Sequence, residues 1–464
     1  MHTRGEMLSW GKIRMHTIQE PSERLDPIAS IRHSTESPKL SQLWEKLSAI
    51  ATRHAGFLAL GDQGVVSATN FATGLIIGRF CSKEELGLYM LGWTLVIIAT
   101  EISAALITTP YTVFSPALGQ LHLRRYRASM LAHQCILSGL FVALIIVAAT
   151  ATSWLDTANP LPKVLWSLAG VILFILVRDF IRRVCFAHLK MLEAIALDCL
   201  SCVFQIGGLL LLAGSGYLSA SSTYFVLGGA SALACITWIV RNKKSLSLEA
   251  RSWFTDAQHS WSLGRWILAS GLVWAGAMYL YPWILALFHG TASTGTWAAC
   301  YSVVALGNPV LLGFGNYIGP KVANIYAAHG VADMRRYVYR TSVGFALLLL
   351  PVSLALLGWG GVLVAKMYGG AYAGNSIAVS LLAINLLLSA LAFPCSRGLF
   401  VLRLAKVDLV VNLIAIALLF TVGLQLVRWY SVTGAALALT LSNAATLGIR
   451  ILAFSRGVRA AAAA

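Results

Sequence analysis

Residues 124–150 read RRYRASMLAHQCILSGLFVALIIVAAT, a basic cluster followed by an apolar run long enough to cross a bilayer. A hydrocarbon core of ~30 Å needs about 20 apolar residues wound as a helix. Lipid imposes that length, because only a helix or a closed barrel pairs all its own backbone groups there. The pattern returns at 335–359 as RRYVYRTSVGFALLLLPVSLALLGW. Working outward from these two stretches, the first part of the chain carries apolar runs at 57–80, 86–110, 129–150, 163–185, 194–213 and 221–240. After a charged break they resume at 263–288, 296–319, 338–359, 376–400, 407–427 and 432–454. The sequence predicts an all-α polytopic membrane protein with twelve transmembrane helices.

Composition agrees. Of 464 residues, 58% are hydrophobic and 11% are charged, against about 25% charged in an ordinary soluble domain. A soluble enzyme is excluded. The net charge of +17 comes from 35 Lys/Arg against 18 Asp/Glu, and it falls in no basic domain and no zinc-finger spacing, so nucleic acid is not the expected partner. Its distribution is more telling. Loops after even-numbered helices hold nineteen Lys and Arg, among them Arg124, Arg125, Arg182, Arg183, Arg335, Arg336 and Arg397. Loops after odd-numbered helices hold five: Arg79, Lys83, Lys163, Lys366 and Arg428. Cytoplasmic loops collect Lys and Arg, so both termini are expected in the cytoplasm of a bacterial inner membrane, with membrane lipids as the surroundings.

The expected organisation is a disordered cytoplasmic tail over 1–56, a six-helix bundle over 57–240 and a cytoplasmic linker over 241–262. A second six-helix bundle follows over 263–455, then a short tail over 456–464. The two bundles look like repeats. Leu60-Gly61-Asp62-Gln63 answers to Leu263-Gly264-Arg265-Trp266, and Gly87-Leu88-Tyr89 to Gly295-Thr296-Trp297. Leu123-Arg124-Arg125-Tyr126 answers to Met334-Arg335-Arg336-Tyr337. Arg183-x-x-Phe186 answers to Arg397-x-x-Phe400, each followed twelve residues later by a polar residue, Asp198 or Asn412. Six helices per unit is an even number, so the repeats are parallel, related by an axis along the membrane normal.

The stretch Asn70-Phe71 … Gly78-Arg79-Phe80-Cys81-Ser82-Lys83-Glu84-Glu85-Leu86-Gly87-Leu88-Tyr89 resembles the helix 1–2 hairpin of Wzx-type polysaccharide and oligosaccharide-lipid flippases. These belong to the multidrug/oligosaccharidyl-lipid/polysaccharide (MOP) superfamily. The turn Tyr368-Gly369-Gly370-Ala371-Tyr372 is similar to that family's Gly-x-x-Tyr turn. The resemblance implies two six-helix bundles around a central cavity lined by helices 1, 2, 7 and 8, working by alternating access. It implies a lipid-linked saccharide as substrate, and a polysaccharide polymerase or glycosyltransferases of the same pathway as partners.

Charge inside a bilayer costs at least ~2.5–3.5 kcal/mol per group, so each such residue needs a partner or a water-filled cavity. Glu101 stands mid-helix; it either binds a proton or Na⁺ during transport or serves as a helix-packing carboxyl. Asp62 and Arg265 hold matching positions at the starts of helices 1 and 7, so a salt bridge between them would make an inner gate. The alternative is that each merely meets headgroups or a helix end. Arg79 offers a fork to phosphate or snorkels to the interface. Asn70, Gln63 and Asn308 suit sugar hydroxyls or helix–helix hydrogen bonds. Tryptophans of helix 7, Trp261, Trp266, Trp274 and Trp283, suit sugar stacking or packing.

No catalytic constellation is present. The chain has no Walker sequence, no H-E-x-x-H and no G-x-S-x-G. The eight cysteines are scattered singly apart from Cys199-x-x-Cys202, whose apolar neighbours indicate helix packing, so neither a metal nor a cofactor is expected. The expected function is flipping of an undecaprenyl-pyrophosphate-linked oligosaccharide for polysaccharide export. A multidrug/cation antiporter is the alternative, and a membrane glycosyltransferase or polymerase, which would want a large outer loop, a weaker one.

Overall fold

The helix starts and stops are set by local chemistry. Ser82 caps the second helix by accepting from the Glu85 amide, with Glu84 and Glu85 in the first turn, where carboxylates meet the positive end of the helix dipole. Ser219 and Ser222 form a reciprocal capping box at the start of the sixth. Three connections have no loop at all. Single residues with positive φ, Gly290, Gly330 and Ser431, break otherwise continuous helical stretches. Glycine takes that backbone without cost, whereas Ser431 does so under strain.

The structure, a computed structural model, describes residues 55–155, 160–243 and 253–463. Among these residues twelve membrane-length helices follow: α1 (Ala55–Phe80), α2 (83–117), α3 (Gln120–Leu155), α4 (Leu161–Ala187), α5 (Met191–Ser215), α6 (Ala220–Asn242), α7 (253–289), α8 (291–329), α9 (331–368), α10 (Ser376–Val401), α11 (405–430) and α12 (432–463). Among the described residues there is no strand. The expected tail over 1–56 lies outside the described residues except for its last two.

Two boundaries differ from expectation. The linker expected over 241–262 narrows, because α6 runs to Asn242 and α7 begins at Trp253. The polar sequence of 253–262 hides this start; its first turns are held by tertiary contacts, Trp253 near the His133 ring at 6.5 Å and His259 against Phe114. The expected tail over 456–464 continues α12 to Ala463.

The repeat is visible in the backbone. After α4, Leu189 takes a left-handed conformation, and its amide and that of Lys190 donate to Phe186 and Cys185. After α10, Arg403 does the same, with its amide and that of Leu404 donating to Phe400 and Leu399. Every member of the second turn is the first shifted by 214 residues. These are left-handed helix endings of one pattern.

Within the first half α1 packs on α5, α3 on α4, and α4 and α5 on α6; within the second, α9 packs on α10 and α12 on both α10 and α11. The halves meet where α2 lies along α8 and where α7 crosses α2. That crossing falls on a π turn, Ala104–Thr108. Gly264 of α7 sits so close there that a Cβ would overlap the Ala105 carbonyl.

Candidate functional site

The first half closes its polar interior with ion pairs. Asp62 on α1 and Asp198 on α5 are 1% and 2% exposed, and both are held by α4. Arg178 Nη2 donates to Asp198 Oδ1 at 2.6 Å, and Arg182 Nε to Asp198 Oδ2 at 2.8 Å. The Arg182 fork also bonds Asp62 Oδ2 and reaches Gln63 Oε1 at 3.5 Å. Farther along, Gln205 of α5 donates to Thr73 of α1 at 2.8 Å. Two acids and two arginines neutralise each other, as buried charge in lipid must.

The second half leaves the corresponding space open. A cavity of about 530 Å³ lies between α7, α8, α10, α11 and α12. Toward the end that bears the basic even-numbered loops, hereafter the basic face, it is lined by Arg397, Ser396, Asp408, Asn412 and Arg450. Arg450 Nη2 donates to Asp408 Oδ1 at 3.1 Å and to Asn412 Oδ1 at 3.5 Å. Arg397 stacks over the Phe393 ring at 4.8 Å. Deeper in, Asn443 donates to Asn385 at 2.6 Å. Asn308, Trp274, Tyr279 and Tyr301 close the wall formed by α7 and α8.

Repeat positions explain the contrast. Shifting by 214 residues, Arg178, Arg182 and Asp198 become Ala392, Ser396 and Asn412. The arginine–carboxylate ladder is thus replaced by small or neutral groups. Arg183 and Asp179, an ion pair at 3.9 Å, become Arg397 and Phe393. At the shorter offset of 203 residues that relates the starts of α1 and α7, Asp62 becomes Arg265, which has no carboxylate ladder in its own half to join. So α1 docks on α5 of its own bundle, whereas α7 packs against α2 as well as against α11, with the cavity beside it.

Of the residues singled out in the sequence, Asn308 lines the cavity and Asp62 and Gln63 join the first-half cluster. Asp62 and Arg265 are not brought together: Asp62 is taken by Arg182, and Arg265 is exposed with its guanidinium over the Trp266 ring at 5.5 Å. Glu101 is half-buried on α2, its carboxylate facing α7 at Gly271 and within reach of the Arg183 and Asp179 charges. Trp274 lines the cavity, while Trp283 donates to Thr94 at 2.8 Å as a packing residue. Arg79 is exposed on the face opposite the basic loops, the far face, bonded to the Lys366 carbonyl at 3.2 Å.

The halves converge at that far face. Gly78 of α1 is covered by the Tyr368 ring, and one turn on, a Cβ on Gly74 would lie 3.8 Å from its hydroxyl. Another turn toward the basic face, Asn70 is exposed, and beyond it Ser67 and Gln63 are partly so. Positions four and seven apart share a helix face, so this face of α1 separates from the second half as it nears the basic face.

Asn385, Asp408, Asn443 and Arg450 were not read from the sequence as site residues. The signal was present: Asn443, Thr446 and Arg450 fall at helical spacing on one face of an otherwise apolar helix, and Asn412 stood out as the repeat partner of Asp198.

No family profile matches the chain, and no curated protein matches it in sequence. Solved structures match its fold. An inward-facing multidrug resistance MATE family transporter of the MOP superfamily superposes with a TM-score of 0.72 at 13% identity, covering 86% of this chain and 95% of that one. A MOP superfamily transporter from Pyrococcus furiosus, described as having a binding pocket of reverse polarity, gives 0.65 at 11% identity over 88% and 96%. An outward-facing MATE family transporter gives 0.61 at 12% identity over 89% and 96%. The chain therefore has the fold of these transporters, and the twelve membrane-length helices among its described residues are those of a multi-pass membrane protein.

Proposed function

We propose that the chain is an alternating-access transporter that flips a lipid-linked saccharide, of the undecaprenyl-pyrophosphate-linked kind, across a bacterial inner membrane for polysaccharide export. The observation that carries this reading is the lining of the second-half cavity. Arginines stand toward the basic face, amides and hydroxyls deeper, and aromatic rings on the α7 and α8 wall. That order suits an anionic head followed by sugar hydroxyls and ring faces. A site for cationic drugs would want an unpaired acid, whereas the cavity's carboxylate, Asp408, is held by Arg450 beside a second arginine. The fold itself favours the second reading, multidrug export, because a multidrug transporter shares it.

The nineteen-to-five bias of Lys and Arg supports cytoplasmic termini and a basic face turned inward. An inside-negative potential then favours outward passage of an anionic head, worth ~2.3 kcal/mol per charge per 100 mV of full traverse. Glu101 and Asp62 remain the candidates for any proton or Na⁺ coupling. We read the chain as a carrier and not an enzyme.

The test is translocation of a fluorescent lipid-linked oligosaccharide in proteoliposomes, with efflux of a cationic dye alongside. Saccharide movement that Arg450→Gln reduces, with no dye efflux, is the expected result. Dye efflux without saccharide movement would overturn the reading in favour of drug export.

A further inference from the structure

The two segments that carry the family resemblance come from opposite halves of the chain, yet they meet at the far face. Arg79 lies in the last turn of α1, and its Nη1 donates to the carbonyl of Lys366 in the last turn of α9. Such carbonyls have no partner within their own helix, and a cation also complements the negative end of the helix dipole. Four residues on, Lys83 Nζ lies over the Tyr372 ring at 5.5 Å. Between these polar ties the packing is tight. The Tyr368 ring occupies the place a Cβ on Gly78 would take, and its hydroxyl shares a 2.5 Å hydrogen bond with Ser302 of α8. A Cβ on Gly87 would overlap the Thr291 carbonyl, and one on Gly295 the Lys83 carbonyl, so α2 and α8 touch backbone to backbone. Close approach of this kind needs small residues at the interface.

We propose that these contacts are the gate of the far face and that Arg79 is its releasable tie, a positioning residue and not a ligand of the substrate. The glycine and tyrosine packing gives the closed gate its shape. The exposed Arg79 bond sets how readily it opens, because water replaces a surface hydrogen bond at little cost whereas a broken backbone contact leaves a void. Asn70, two turns below on the same face of α1, has no such engagement and lies where the halves have already parted.

This inference rests on the alternating-access reading, and its test needs no substrate. Spin labels are placed at Phe80→Cys and Ala371→Cys, both exposed, in a chain whose eight native cysteines are replaced, and the distance distribution is measured in lipid nanodiscs. Arg79→Lys, which keeps a positively charged donor, is expected to retain the closed distance. Arg79→Gln is expected to raise the ratio of separated to closed molecules about fivefold, the size of one weak charged hydrogen bond. A flexible bis-maleimide joining the two cysteines is expected to halt translocation. Identical distributions in all three chains would overturn the proposal, as would Arg79→Gln abolishing translocation with the distances unmoved. Unimpeded translocation through the crosslinked chain would do so too. If the wild type moves no lipid-linked saccharide, the functional reading falls while the distance comparison still decides the gate.

Discussion

The two halves share one backbone plan and spend their polar residues in opposite ways. In the first, Asp62, Asp198, Arg178 and Arg182 consume each other, and α1 is drawn onto α5. In the second, the equivalents of Arg178, Arg182 and Asp198 are Ala392, Ser396 and Asn412, and a cavity of about 530 Å³ remains. The difference teaches that a duplicated bundle opens a cavity where it lacks the ion pairs of its twin. Without the interior salt bridges α7 packs on α2 as well as on α11, and the space beside it is lined by arginines, amides and hydroxyls.

The largest effect should come from breaking the sealed half. Asp62→Ala leaves the Arg182 fork with one carboxylate instead of two in a nearly inaccessible place. Breaking a buried pair on one side costs about 3–5 kcal/mol. Asp408→Ala, the matching insult to the open half, removes a carboxylate that is 20% exposed, against 1% for Asp62, and leaves Arg450 its contact with Asn412. Its cost should stay under about 1 kcal/mol. Thermal unfolding in one detergent measures both, and equal losses would erase the distinction between a structural and a functional half.

Filling the cavity tests the other side of the comparison. Ala392 stands where the first half carries Arg178, and it lines the open space. Ala392→Phe should cut saccharide translocation by about tenfold or more, equivalent to at least ~1.4 kcal/mol of lost binding, while the melting temperature changes little. A large fall in melting temperature instead would mean that the space closes in the resting protein.

The spans of this chain were legible because an apolar run of bilayer length has one physical explanation. The site was legible only in part, for a reason Arg182 illustrates. Counted along the chain, Arg178 and Arg182 belong to a basic loop cluster and report topology. Their faces, however, turn them toward Asp198 and Asp62, and pairing depends on helix rotation, which a count ignores. Asp62 is recognisable as a charge needing a partner, but repeat symmetry points to Arg265, whereas the partner is Arg182 of α4. Arg450 was hidden by its apolar neighbours in α12. Gly290, Gly330 and Ser431 show the same limit for turns, because a one-residue break leaves no loop composition to read.

A subtler change bears on the arginines of the open half. Asp408→Asn keeps the shape and the Ser396 contact but removes the charge that occupies Arg450. The freed guanidinium should bind an anionic head more tightly, lowering the concentration for half-maximal translocation by about threefold, within the range of one partly exposed ion pair. Weaker apparent binding in a folded Asp408→Asn chain would instead place Asp408 on the ligand.

The smallest effect concerns the two equivalent turns, where His188 in the first half is matched by Leu402 in the second. His188 Nε2 lies 2.8 Å from the Tyr111 hydroxyl, which also accepts from Arg127 Nε at 3.3 Å. Burial, and then the nearby Arg127 and Lys190 charges, hold the imidazole below its ordinary value of 6.5. On acidification the unfolded chain therefore takes up this proton first. The stabilisation is complete above the ordinary value and is lost as pH falls through it toward the lower folded value. Because His188 is only half-buried, the change in melting temperature between pH 7.5 and 5 attributable to it should be on the order of 1 °C. His188→Leu copies the second half's turn and should remove that increment without shifting the melting temperature at pH 7.5 by more than the lost hydrogen bond, about 1 kcal/mol. If the pH dependence is the same in both chains, the two turns are equivalent in chemistry as well as in backbone, and the asymmetry of the halves is confined to the interior.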